Sequence, residues 1–305
     1  MTDLSTLWHD RYGAAAASDE AAGVPASRPA GPDPADTHPA DTHPAGARIA
    51  TPPAAPLLER LLAHRTVRAY LDEALDPGVL PAMMAAAQSA ATSSNLQAWS
   101  VVAVQDRERK ARLAQLANAQ AHIREAPLLL VWLADLSRLD RSARGRGLPS
   151  EANRYLEMFL VATIDAALAA QNAVIAAEAM GLGTCYIGAM RNRPEEVAAE
   201  LGLPPRVFAV FGLTVGRPDP ARPAAVKPRL PQAVVLHQET YRSPDDAEAK
   251  AIGRYDEVIR RFQRSQSMKE VDWSLQASER VAGPGSLSGR DRLAEAIRAL
   301  GFELE

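Results

Sequence analysis

The chain has 305 residues, enough for two average domains or for one large domain with attachments. Its 34 Lys and Arg nearly balance 37 Asp and Glu, so a net charge of −3 leaves no broad cationic field to hold nucleic acid or an anionic lipid surface. A single cysteine, Cys185, excludes an internal disulfide and any multi-cysteine metal or iron–sulfur site, and points to a reducing compartment, most simply the cytoplasm.

Nine of the 23 prolines fall within residues 1–56, in a stretch with a tandem ADTHP repeat and no apolar periodicity. Such a segment buries too little surface to offset its ordering entropy, so it reads as a disordered or polyproline-like arm, with LSTLWHDRY at 4–12 as a small docking patch. The start is acidic and lacks the continuous apolar run of a secretory signal. His38 and His43 lack a third ligand and read as spacer residues rather than a metal site.

From Pro56 the composition changes. Leu57, Leu58, Leu61 and Leu62 open a helix, and a second helix runs from Pro77 to about Ala90, ending at the turn-prone TSSN. WSVVAVQD predicts a buried strand over 99–105, Asp106–Ala117 an amphipathic helix, APLLLVWLAD a strand over 126–135, and RSARGRGLPS a loop. Between about Glu151 and Met180, large apolar residues recur at three- and four-residue spacing with alanines between them, which predicts a long helix buried on most sides. Its Asp165, Gln171, Asn172 and Glu178 argue against a membrane span. Gly181 and Gly183 stop that helix before a strand TCYIGAM; a helix over 195–201, a strand over 206–216, a helix from Asp245 to about Arg264 and a last helix over about 290–300 follow. No G-x-G-x-x-G follows the first strand, which disfavours a standard dinucleotide-binding fold. The pattern predicts an α+β fold: a three-layer α/β/α domain over 57–243 and a helical C-terminal extension over 244–305.

Four segments carry candidate chemistry. His64-Arg65-Thr66-Val67-Arg68 places three potential cations and a hydroxyl within five residues, able to grip a dianionic phosphate. Ala91 to Gln97 gathers small hydroxyl and amide donors at a helix-to-strand junction, and Gly181 to Ala189 leaves bare backbone against which a flat ring could lie. Lys227-Pro228-Arg229-Leu230-Pro231 holds two cations on a stiff link. Taken singly these are more often a solvated surface, a capping turn, a bulge and a linker.

In this order and approximate spacing, over about residues 57–273, the motifs HRTVR, TSSNLQ, GLGTCYIGAMRN and KPRLP resemble those of the FMN-dependent, oxygen-insensitive nitroreductase family, its NADPH-preferring nitroreductase and flavin reductase branch above all. The resemblance implies an intertwined homodimer with two FMN sites. It implies that His64, Arg65, Lys227 and Arg229 surround the FMN phosphate with Thr66 bonding the same end, and that Arg68 reaches the N1/O2 edge of the isoalloxazine. Ser93, Ser94, Asn95 and Gln97 would line ribityl and ring from across the dimer interface, and Gln120 would pair with the pyrimidine edge. Tyr186, Ile187, Gly188 and Ala189 would form a backbone wall, with the Gly188 N–H toward flavin N5. Arg264 and Lys269 match the branch's basic pair for the 2′-phosphate of NADPH, although Glu270 and Asp272 weaken the local positive field, and a solvated helix face reads about equally well there. No side chain is needed as acid or base, so no catalytic residue and no metal are expected. The implied activity is two-electron, ping-pong hydride transfer from NADPH to small-molecule acceptors: nitroaromatics, quinones or flavins. Two alternatives stay open, a flavin reductase supplying reduced FMN to a monooxygenase and a non-catalytic flavin-binding or sensor protein.

Overall fold

A computed structural model describes residues 55–305. The Pro-rich arm, the 4–12 patch, His38 and His43 lie outside the described residues. By contact density the described residues divide into two compact units, one containing residues 64–225 with 277–305, the other residues 55–63 with 226–276. The boundary expected after residue 243 divides the chain differently, because 277–305 belongs with the larger unit.

The chain order is α1 (Ala55–Leu62), α2 (Val79–Gln88), β1 (Trp99–Val104), α3 (Arg107–Leu116), α4 (Ala121–Glu125), β2 (Leu128–Asp135), α5 (Ser137–Gly145), α6 (Leu156–Ala179), β3 (Gly183–Ile187), α7 (Pro194–Leu201), β4 (Val207–Gly216), α8 (Gln232–Val235), α9 (Asp246–Ser265), α10 (Trp273–Arg280) and α11 (Leu293–Ala299). The larger unit is built on a four-stranded antiparallel sheet of order β1-β2-β4-β3. Every residue of β2 is buried, because both faces of the sheet are covered. Leu128, Leu130 and Trp132 pack with Met83 and Ala87 of α2 and the alanine face of α6; Leu129, Val131 and Leu133 pack on the other side with Leu113, Ile123 and Val197 of α3, α4 and α7. This is the three-layer α/β/α arrangement the sequence predicts. The helix-rich C-terminal part is equally as expected.

Helix α6 departs from expectation in one respect. Ala162, Ala166, Ala169, Ala170, Ala173 and Ala177 are buried, and their small side chains permit close approach to the sheet and to α2. The opposite face is open: Leu156, Leu160, Ile164 and Leu168, one turn apart, are each 43–56% exposed. The helix is therefore buried on one side only and presents an apolar stripe on the other. It is long and apolar enough to cross a membrane by length and composition, with 44% of that window buried inside the protein. Gly181 ends it in a left-handed conformation (φ +76°), while the Leu182 N–H returns to the Ala177 carbonyl.

Three further differences have local causes. The stretch expected to be a loop after β2 opens within a helix, α5, because Asp135 at the end of β2 accepts the Ser137 hydroxyl (2.7 Å) and the Arg138 N–H (3.3 Å), capping α5 from the strand before it. Helix α10 was not expected at all; Asp256 of α9 accepts the Ser274 N–H and hydroxyl at 2.9 and 2.5 Å, a cap supplied from 18 residues away. The strand expected over TCYIGAM stops at Ile187, and Gly188–Arg191 forms a 3₁₀ turn in which the Arg191 guanidinium donates to the Val210 carbonyl of β4.

Candidate functional site

In the larger unit, the segment 64–68 runs beside β3. Thr66 bridges Thr184 in parallel, and the Val67 N–H donates to the Thr184 carbonyl at 2.9 Å. Gly183 makes this approach possible: a Cβ there would lie 2.6 Å from Val67 Cβ and Cγ2. Two segments distant in sequence, HRTVR at 64–68 and GTCYIGA at 183–189, thus share one edge of the sheet. Arg65 and Arg68 are exposed. His64 is half-buried, with Nδ1 2.5 Å from Oε1 of Glu178 near the end of α6. Beneath Arg68 lie Cys185 and His122, with the thiol 3.8 Å from Nε2. Burial pushes the thiol up, with Arg68 opposing, whereas burial and then the Arg68 charge push the imidazole down. Thiol and imidazole are therefore both neutral near pH 7, and Cys185 is packing rather than a nucleophile.

The second segment, Ser93–Asn95, is a short 3₁₀ turn in which Ser94, Asn95 and then Gln97 hold left-handed backbone (φ 48°, 56° and 50°). Such conformations are unfavourable for non-glycine residues and persist where their surroundings over-determine them. Here Asp165 of α6, 2% exposed, accepts the Thr92 hydroxyl at 2.6 Å and the N–H groups of Ser93 and Ala98 at 3.2 and 3.1 Å. Arg138 donates to the Gln97 carbonyl from outside. Gln120 stands at the start of α4, and its side chain donates to the Ala117 carbonyl at 2.9 Å. Tyr186 on β3 is 38% exposed, edge-on to Phe211 at 5.1 Å, and Ile187 beside it is buried. Gly188 and Ala189 begin the 3₁₀ turn.

An uncompensated positive cluster adjoins this turn. A Cβ on Gly188 would meet Arg191 Nη2 at 3.4 Å and Arg290 Nη1 at 3.8 Å. Burial, followed by the charge of Arg290, lowers the pKa of Arg191; burial, followed by the charge of Arg280, lowers that of Arg290. Among the described residues none of these three arginines has a carboxylate partner, and the buried Asn192 side chain has no hydrogen-bond partner for either polar atom. Cations without carboxylate partners beside an unsatisfied amide suit an anion.

The smaller unit holds the remaining expected residues. Lys227 and Arg229 line a cavity of about 770 Å³ with Leu230, Val235, Tyr255 and Trp273. The Tyr255 hydroxyl donates to the Pro228 carbonyl at 2.9 Å and its ring meets Trp273 edge-on, so α9 and α10 anchor the KPRLP link. Arg264 near the end of α9 makes a two-pronged contact with Glu270 (2.9 and 2.8 Å), Arg260 pairs with Asp272, and Lys269 is exposed.

Sequence reasoning missed Asp165, Glu178, Asn192 and the three-arginine cluster. Asp165 carried a usable signal, since it occupies the buried alanine face (162, 166, 169, 173) where a lone acid demands donors. The arginine cluster carried none, because Arg191, Arg280 and Arg290 meet only through the return of 277–305 to the larger unit.

The three-layer fold carries a cation-rich segment and a glycine-opened strand at the β3 edge of the sheet and a donor-rich turn at the start of β1, the opposite edge, an arrangement of donors suited to a phosphate-bearing cofactor. The Nitroreductase family model matches residues 61–217 and that family's C-terminal domain model matches 227–305, and the chain belongs to this family. It is 40% identical over 222 residues to an FMN reductase (NADPH) from Bacillus subtilis, covering 72% of this chain and 88% of the relative. It is 35% identical to an oxygen-insensitive NADPH nitroreductase from Salmonella typhimurium, covering 72% and 88%. Among solved structures, B. megaterium NfrA1 superimposes with a TM-score of 0.76 at 40% identity, covering 81% of this chain and 99% of that one.

Proposed function

We propose that this chain is an NADPH-dependent FMN oxidoreductase that reduces nitroaromatics, quinones or flavins. The observation that carries the reading is the pairing of HRTVR with β3, the strand that runs on into the Gly188 turn, within a family whose relatives bear NADPH-dependent flavin and nitro reductase names. The residues present fit FMN by their chemistry: cations for a phosphate, hydroxyls and amides for a polyol, and bare backbone for a flat ring. His64, Arg65 and Thr66 of the larger unit are assigned to the phosphate, and Glu178 orients His64; Lys227 and Arg229 carry the same assignment on the strength of the KPRLP motif alone. Ser93, Ser94, Asn95, Gln97 and Gln120 supply polar contacts to the polyol and ring, and Tyr186 to Ala189 supply the backbone wall. Arg68 provides the cation that opposes negative charge developing on the ring. When bound, FMN supplies reversible two-electron redox chemistry at neutral pH.

The apolar stripe on α6 supports a homodimer, with a second copy covering Leu156, Leu160, Ile164 and Leu168 rather than lipid. A lone cysteine, held as a buried free thiol, supports the reading of a reducing compartment, the cytoplasm.

Arg264 and Lys269 are assigned to the 2′-phosphate of NADPH. The contact of Arg264 with Glu270 is exposed, and an exposed pair holds weakly enough to be exchanged for a phosphate. Arg264→Ala is expected to raise the apparent KM for NADPH about tenfold while leaving that for NADH unchanged; an unchanged NADPH value removes the assignment. The function as a whole is tested by steady-state NADPH oxidation with a panel of nitro compounds, quinones and free FMN. Turnover with at least one acceptor class supports it, and none with any of them excludes it.

A further inference from the structure

We infer that Asp165 is a positioning residue for the flavin, holding the 92–98 turn in the shape that presents Ser94, Asn95 and Gln97; the inference rests on the flavin reading above. A carboxylate in the alanine face of α6, 2% exposed, has no packing role that Ala or Val would not fill better. Its two oxygens instead collect donors from one turn only. Oδ2 accepts the Thr92 hydroxyl at 2.6 Å and the Ala98 N–H at 3.1 Å, and Oδ1 accepts the Ser93 N–H at 3.2 Å. Thr92 then passes the constraint inward, its Oγ1 accepting the Gln97 N–H at 2.9 Å. Both ends of the turn are thereby tied to one rigid helix, and the residues between them take left-handed backbone at three non-glycine positions. The Gln97 side chain in turn donates to the Asn95 side-chain oxygen at 3.3 Å, so the donor-rich wall is a single hydrogen-bonded object whose anchor is Asp165.

Asparagine has the size of aspartate but turns an NH₂ toward one of these donors, so Asp165→Asn loosens the turn without opening a cavity. The test compares full-length wild type, Asp165→Asn, Thr92→Val and Ala173→Gly, the last weakening α6 two turns away on the same buried face. Each is measured for FMN dissociation constant by flavin fluorescence, for visible circular dichroism of the bound flavin, and for apoprotein melting. Asp165→Asn is expected to weaken FMN binding about tenfold or more and to change the dichroism of whatever flavin is bound. Thr92→Val weakens binding by less, and Ala173→Gly lowers the melting temperature with FMN affinity unchanged. Wild-type affinity and dichroism in Asp165→Asn, or an equal loss of affinity in Ala173→Gly, overturn the inference. If Asp165→Asn does not fold, unchanged FMN affinity in Thr92→Val overturns it and weakened affinity supports it. Failure of wild type to take up FMN sinks the flavin reading itself, whereas uptake by wild type with no response in the variants sinks only the role of Asp165.

Discussion

Gly183→Ala is expected to abolish stable FMN retention and to lower the melting temperature. The added Cβ would stand 2.6 Å from both Cβ and Cγ2 of Val67 and 2.8 Å from Cγ1, distances that cannot be relieved by rotating a stiff β-branched side chain. The segment 64–68 must therefore retreat from β3, breaking the Val67–Thr184 hydrogen bond that aligns it. Overpacking of this kind costs about 1–3 kcal/mol, and the displaced segment carries His64, Arg65, Thr66 and Arg68. Pairing it with Val67→Ala gives only partial recovery, since the alanine Cβ remains at 2.6 Å; pairing it with Val67→Gly restores more. Equilibrium FMN binding and thermal melting of the single and double variants check this, and wild-type behaviour of Gly183→Ala would refute the close approach.

Ile164→Arg is expected to convert a dimer to a monomer. Ile164 is the most exposed of the four stripe residues at 56%, and each large aliphatic side chain taken from water contributes roughly 1.5–3 kcal/mol. In a two-fold dimer one substitution puts a charge into the interface from both copies, and an unpaired buried charge costs several kcal/mol. Because Ser93 to Gln97 are assigned to the flavin across that interface, the monomer also loses FMN. Light scattering coupled to gel filtration reads the first effect and the ratio of flavin to protein the second. A wild-type chain that runs as a monomer while retaining FMN would refute the stripe as the dimer face.

Most elements were legible because their signals are local. The strands of continuous apolar residues, the Asp106 and Asp245 caps of α3 and α9, and Gly181 after α6 each act within a few residues. What escaped was nonlocal: the cap on α10 comes from Asp256, and the return of 277–305 to the larger unit leaves no trace in periodicity. The open face of α6 was misread for a related reason. Leu160, Ile164 and Leu168 have the composition of a core, and a sequence does not say whether its own chain or a second copy covers them. Candidate site residues were legible as types in motifs, whereas Asp165 and Glu178, which hold those motifs in place, lie within an apparently apolar helix.

As a member of this family, the chain is expected to bind FMN and to pass electrons to it from NADPH. Anaerobic titration of the FMN-reconstituted protein with NADPH tests it most directly: the visible flavin band should bleach in proportion to added NADPH, one equivalent per bound flavin, and return when a quinone is admitted. A band that persists in excess NADPH would instead show a flavin-binding protein without reductase activity.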